Sequence, residues 1–155
     1  MDETEYRQTY REVNTRKCVF EKAINSRRCT CSVSERFNLA DREGVACRSA
    51  EALARCQALL ESLRNNASFA LQMTRICGPL PHAREIKVQV GGMLGIQQVL
   101  DTEKAGSESV QDIDGLVRQA LSRFGDVAAL PYDEIVKAIV RFEGRLRRRS
   151  QTKKE

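Results

Sequence analysis

Residues 18–56, CVFEKAINSRRCTCSVSERFNLADREGVACRSAEALARC, carry five of the six cysteines of the 155-residue chain: Cys18, Cys29, Cys31, Cys47 and Cys56. Helical periodicity enters this stretch from both sides and lapses in its middle, over 28–48. On the upstream side Tyr6, Tyr10, Val13, Phe20 and Ile24 recur at helical spacing with no Gly or Pro among them. That pattern predicts a helix over 3–27 with Cys18 inside it. On the downstream side Ser49 is a good N-cap. From it Leu53, Cys56, Leu60, Leu63, Ala67 and Ala70 repeat at threes and fours, predicting a helix to about residue 76 with Cys56 facing the core. Gly78, Pro79 and Pro81 would end it. The two helices form a long hairpin, and the intervening loop, with a short helix at 34–43 capped by Ser34, brings the cysteines to one end.

Further along, Ile86, Val88 and Val90 alternate with polar residues in EIKVQV, the period of a strand. A lone strand has no partner within this chain, so an irregular or helical conformation, or pairing with a second copy through 86–90, are the ways to satisfy it. Gly91, Gly92 and Gly95 follow, and a tight turn or close backbone approach explains them better than a phosphate loop, because the G-x-G-x-x-G order and any Lys are missing. A helix over 110–124, stopped by Gly125, and another beginning at Pro131 with Ile135, Ile139 and Phe142 inward complete the chain. The expected fold is mainly α: a bundle built on the cysteine-bearing hairpin (1–82), a short extended segment with two C-terminal helices (83–146, same domain) and a basic tail (147–155).

Charge is segregated. Residues 1–140 hold 19 basic and 19 acidic residues, whereas 141–155 hold seven basic and two acidic, which accounts for the net +5. The N-terminus lacks the apolar core of a secretory signal and no apolar run approaches the ~20 residues of a membrane span. A cytoplasmic protein is expected, and in that reducing setting clustered cysteines point to metal or redox chemistry rather than disulfides. Neither G-x-S-x-G, H-E-x-x-H nor a Walker A motif occurs, and the single His82 pairs with no particular cysteine, so no catalytic constellation is found.

Cys29, Cys31 and Cys47 fall in sequence where core packing does not account for them. Lys17, Arg28, Arg48 and Arg55 each adjoin a cysteine, and nearby cations favour the thiolate that binds metal. Cys47 also precedes a helix N-terminus, where negative charge is favoured. The spacings, x10, x1, x15 and x8, contain no zinc knuckle and no ferredoxin run. Ligands dispersed over a helical scaffold can still converge, and an all-thiolate set suits an iron–sulfur cluster, with 4Fe-4S preferred and zinc as the alternative. The expected ligands are Cys18, Cys31, Cys47 and Cys56, with Cys29 an alternative to Cys31. Electron transfer to a protein redox partner, or redox sensing, is the function that follows. The contrasting reading is a helical adaptor whose thiols pack or hold structural zinc.

Arg145, Arg147, Arg148 and Arg149 give the adaptor reading a nucleic-acid surface. No aromatic interleaves them, so any contact would be to phosphates. Deleting residues 147–155 is expected to leave the fold intact and to weaken salt-sensitive binding to duplex by a similar factor for every sequence; an electrophoretic shift at low ionic strength checks it, and full-length protein that gives no shift removes the nucleic-acid role.

Overall fold

The computed structural model of the chain describes residues 2–71 and 80–143. Cys77, the expected helix end near residue 76, and the tail with Arg145, Arg147, Arg148 and Arg149 lie outside the described residues. The elements are α1 (Glu3–Val13), α2 (Glu21–Asn25), β1 (Ser34–Leu39), β2 (Arg42–Cys47), α3 (Ala50–Ala67), α4 (His82–Leu100), α5 (Ile113–Phe124) and α6 (Tyr132–Arg141). The fold is therefore mainly helical, with a small antiparallel sheet of two strands.

The helix expected over 3–27 is broken in two. Asp2 caps α1 by accepting from the Glu5 N–H at 2.7 Å, and the helix stops at Asn14. Thr15 to Cys18 then run beside β2: the Cys47 N–H donates to the Arg16 carbonyl at 2.8 Å and the Cys18 N–H to the Val45 carbonyl at 3.0 Å. The edge of β2 competes successfully for these backbone groups, so Cys18 sits on an extended segment and not in a helix. Helix α2 resumes with Phe20, Ala23 and Ile24 fully buried. Arg27 (φ +70°) ends it in the left-handed region.

The loop expected to hold a helix at 34–43 is instead a β-hairpin. Its strands pair from Ser34 with Cys47 to Leu39 with Arg42, leaving Ala40 and Asp41 as a two-residue turn. Both have positive φ, +50° and +71°, as a type I′ turn requires. The usual Asn-Gly signal is absent, and Ala-Asp hides the turn from a sequence reading.

Helix α3 begins as expected, with the Ser49 hydroxyl accepting from the Ala52 N–H at 3.1 Å. Its buried face is Ala52, Cys56, Leu59, Leu60, Leu63 and Ala67; Leu53 is only half-buried and Ala70, past its end, is exposed. With the first helix broken, the long hairpin of 3–27 against 49–76 does not form, and α4 takes the centre.

The segment 85–90 is part of α4, not a strand, and the premise for a homodimer joined through it is gone. Glu85, Val88, Gln89 and Val90 are buried inside the fold. The alternation arose because Glu85 and Gln89 are polar yet interior. Glu85, 1% exposed, accepts from Arg64 twice (3.1 and 2.7 Å), from the Leu80 N–H (3.0 Å) and from Gln89 Nε2 (2.7 Å). Gln89 in turn bonds the Ala23 N–H and the Val19 carbonyl. Gly91 and Gly95 let α6 cross at close range: a Cβ on Gly91 would stand 2.7 Å from the Ile139 Cα, and one on Gly95 3.1 Å from the Ile135 Cα. Helices α5 and α6 lie where expected, with Ile113, Leu116, Val117 and Ala120 buried on one and Ile135, Ala138 and Ile139 on the other.

Burial raises the Glu85 pKa, but Arg64, the Leu80 N–H and Gln89 outweigh it and hold the carboxyl below its ordinary 4.5. A depressed carboxyl stabilises the fold above the unfolded pKa and loses that contribution as pH falls through the folded value. Urea midpoints are expected to drop below about pH 4.5, and Glu85→Ala to cost about 3 kcal/mol at neutral pH by leaving Arg64 unpaired, while showing a flatter acid limb.

Candidate metal centre

Four cysteines reach one small cavity from four different parts of the chain. Cys18 arrives on the segment paired with β2, Cys31 from the turn before β1, Cys47 from the last position of β2, and Cys56 from the second turn of α3. Together with Val33, Ser34, Ala52, Ile113 and Asp114 they line a void of about 20 Å³. Cys47 and Cys56 are buried, whereas Cys18 and Cys31 are half-buried and form its outer edge.

The backbone positions the sulfurs. The Phe20 backbone, two residues after Cys18, favours the thiolate of its sulfur without offsetting burial. The backbones of Val33, two residues after Cys31, and of Asp114 at the start of α5 do the same for Cys31. Cys31 itself is held by its carbonyl, which accepts from the Ser34 N–H (3.3 Å) and hydroxyl (2.8 Å). The Cys47 thiol donates to the Ser49 carbonyl at 3.1 Å, in the turn that starts α3.

Burial pushes the Cys18 and Cys56 thiols up to about 12, and Cys31 upward as well. The cysteines reinforce this on each other: ionised Cys31 and Cys47 would raise Cys18, and ionised Cys18, Cys31 and Cys47 would raise Cys56. The expected lowering by the adjoining Lys17 and Arg55 does not prevail, because loss of water outweighs it. Cys18, Cys31 and Cys56 thus favour the protonated form until something supplies positive charge.

Cys29 is elsewhere. It is 1% exposed in an extended segment bridged to Val110 and does not line the cavity. Burial raises it to about 12 against the Arg28 charge and the Val110 N–H. His82 opens α4 on the surface, its Nδ1 2.9 Å from Lys22 Nζ, away from the cysteines.

Asp114, which sequence reasoning missed, is 4% exposed on the cavity wall, and its carboxylate accepts from Arg55 (3.1 Å) and Arg118 (2.9 Å). Its only sequence signal was an acidic residue on the otherwise apolar start of α5. Nearby, Asp112 accepts from the Ser32 N–H at 2.8 Å and ties α5 to the Cys31 turn.

Among the described residues no group of three or more His, Cys, Asp or Glu is arranged to hold a metal ion. The sulfurs surround a void rather than closing on a point. No described helix is long and apolar enough to cross a membrane. Comparison with protein-family models, curated proteins and solved structures finds no match to the chain.

Protonated, buried thiols are poor nucleophiles. In metal-free reduced protein at pH 8, iodoacetamide is expected to label Cys18, Cys29 and Cys56 at least about tenfold more slowly than in the unfolded chain, read by peptide mass spectrometry.

Proposed function

We propose that the protein is a small iron–sulfur protein, serving electron transfer or redox sensing, with Cys18, Cys31, Cys47 and Cys56 as cluster ligands. The observation that carries this reading is the convergence of four thiols from separate elements on one cavity, with Cys29 apart from them. The donor chemistry fits: four soft sulfurs, without imidazole, suit a thiolate-bound cluster. The backbones of Phe20, Val33 and Asp114 favour the thiolates of Cys18 and Cys31, and backbone donors near sulfur stabilise a bound cluster. The void holds about a water as it stands, so seating a cluster requires the thiols to swing outward about χ1.

When bound, the cluster would supply one-electron chemistry. The chain's own residues do the rest. Cys47 and Cys56 keep one side dry, the half-buried Cys18 and Cys31 leave the other side near solvent, and ligation would release thiol protons.

Anaerobically purified protein is expected to be brown, with iron and acid-labile sulfide. Cys47→Ala is expected to lose both with the visible absorption, and Cys29→Ala to retain them. Colourless wild-type protein without sulfide after anaerobic reconstitution defeats the reading, and bound zinc in its place makes the centre a structural one.

A further inference from the structure

Two open depressions join beside the cysteine cavity. One, about 670 Å³, follows α1 past Tyr6, Tyr10 and Arg11; the other, about 640 Å³, passes Leu53, Gln57 and Gln89. Thr15, Lys17, Glu21 and Lys22 line both, so the two form one groove. Its inner lobe reaches Cys18, which also lines the cysteine cavity.

The groove contains carboxylates and cations, but they face differently. The Glu21 side chain is 15% exposed and Glu85 1%, whereas Lys17, which pairs with Glu21 at 3.8 Å, is 59% exposed and Arg7, which pairs with Glu3 at 3.2 Å, is 67% exposed. The Glu21 carboxylate is taken up by the Val45 N–H (2.8 Å) and the Tyr10 hydroxyl, and Glu85 by the buried network around Arg64. Among the described residues Arg11 and Lys22 have no carboxylate within ion-pair distance. With Glu21 and Glu85 turned inward, the groove presents an excess of positive charge, with Glu3 as the exposed carboxylate of its lining.

We propose that this groove binds an extended acidic segment of a partner protein and lays it against the Cys18 side of the cysteine centre. A peptide fits better than a nucleic acid. The aromatic faces that would stack bases are already covered, Tyr6 by Arg42 at 4.3 Å and Tyr10 by Lys17 at 5.4 Å. The half-exposed Glu3 on the outer lobe repels a continuous phosphate chain but spaces with a peptide's intermittent charges. The value of delivering a partner to Cys18 rests on the iron–sulfur reading; the binding itself does not.

The test is fluorescence anisotropy of a labelled ten-residue peptide of alternating glutamate and glycine titrated with the full chain. The charge-reversal pair K17E/K22E is expected to weaken binding at least about tenfold, and K104E/R123E, an equal change of charge at exposed sites outside the groove, by about twofold or less. The milder Lys17→Gln/Lys22→Gln pair is expected to weaken it in the same direction with an unchanged circular dichroism spectrum, which separates lost contact from lost fold. Equal loss in both reversal pairs, loss in neither, or no binding by wild-type protein overturns the proposal. So does tighter, K17E/K22E-sensitive binding of a single-stranded oligonucleotide, which would make the groove a nucleic-acid site. Cofactor-free protein that still binds the peptide leaves the groove standing while the cluster falls; cluster-bearing protein that ignores the peptide does the reverse.

Discussion

The carboxylate of Glu85 is the point from which this fold is tied. It is buried beside Gln89 on α4, and through the pair three helices are fixed in register: α3 by Arg64, α4 by its own turn, and α2 by the Ala23 N–H and Val19 carbonyl that Gln89 engages. A buried charge tolerates no loss of partners. Moving α2 or α3 by one residue would leave Glu85 or Gln89 unsatisfied, so the network selects one packing among the several that apolar contacts alone would allow. Fixing α2 relative to α3 also fixes Cys18, just ahead of one, relative to Cys56 on the other.

The same network explains where the sequence could and could not be read. Amphipathic periodicity found α3, α5 and α6, because their polar residues face water and their apolar residues the core. It failed at 85–90, where Glu85 and Gln89 are polar and interior, so that a fully buried helix imitates the alternation of a half-buried strand. It failed again at 14–18, where local pattern favours helix but the edge of β2 supplies better backbone partners. The hairpin was invisible because Ala40 and Asp41 adopt a conformation that their identities do not advertise. The first two failures are long-range contacts overriding a local preference.

The cysteines divide along the same line. Their density and their loop-like surroundings were legible, and Cys18, Cys31, Cys47 and Cys56 do meet at one cavity. Their electrostatics were not, since adjacency in sequence to Lys17 or Arg55 says nothing about how much water a thiol loses. Nor was Asp114, which the chain brings to the cavity wall from 58 residues beyond Cys56.

Strand β2 has a partner on both sides, β1 on one and residues 16–18 on the other. The outer rim of β1 is therefore the sheet's longer free edge, six residues long and carrying the exposed Glu35 and Arg36, with the Arg36 guanidinium turned back to the Ile24 carbonyl at 2.9 Å. Short, charged rims resist templated strand addition. The segment that delivers Cys18 also closes the one apolar strand, around Val45, to cross-β stacking, so a substitution that freed residues 16–18 would expose the chain to aggregation at the same stroke as it displaced the thiol.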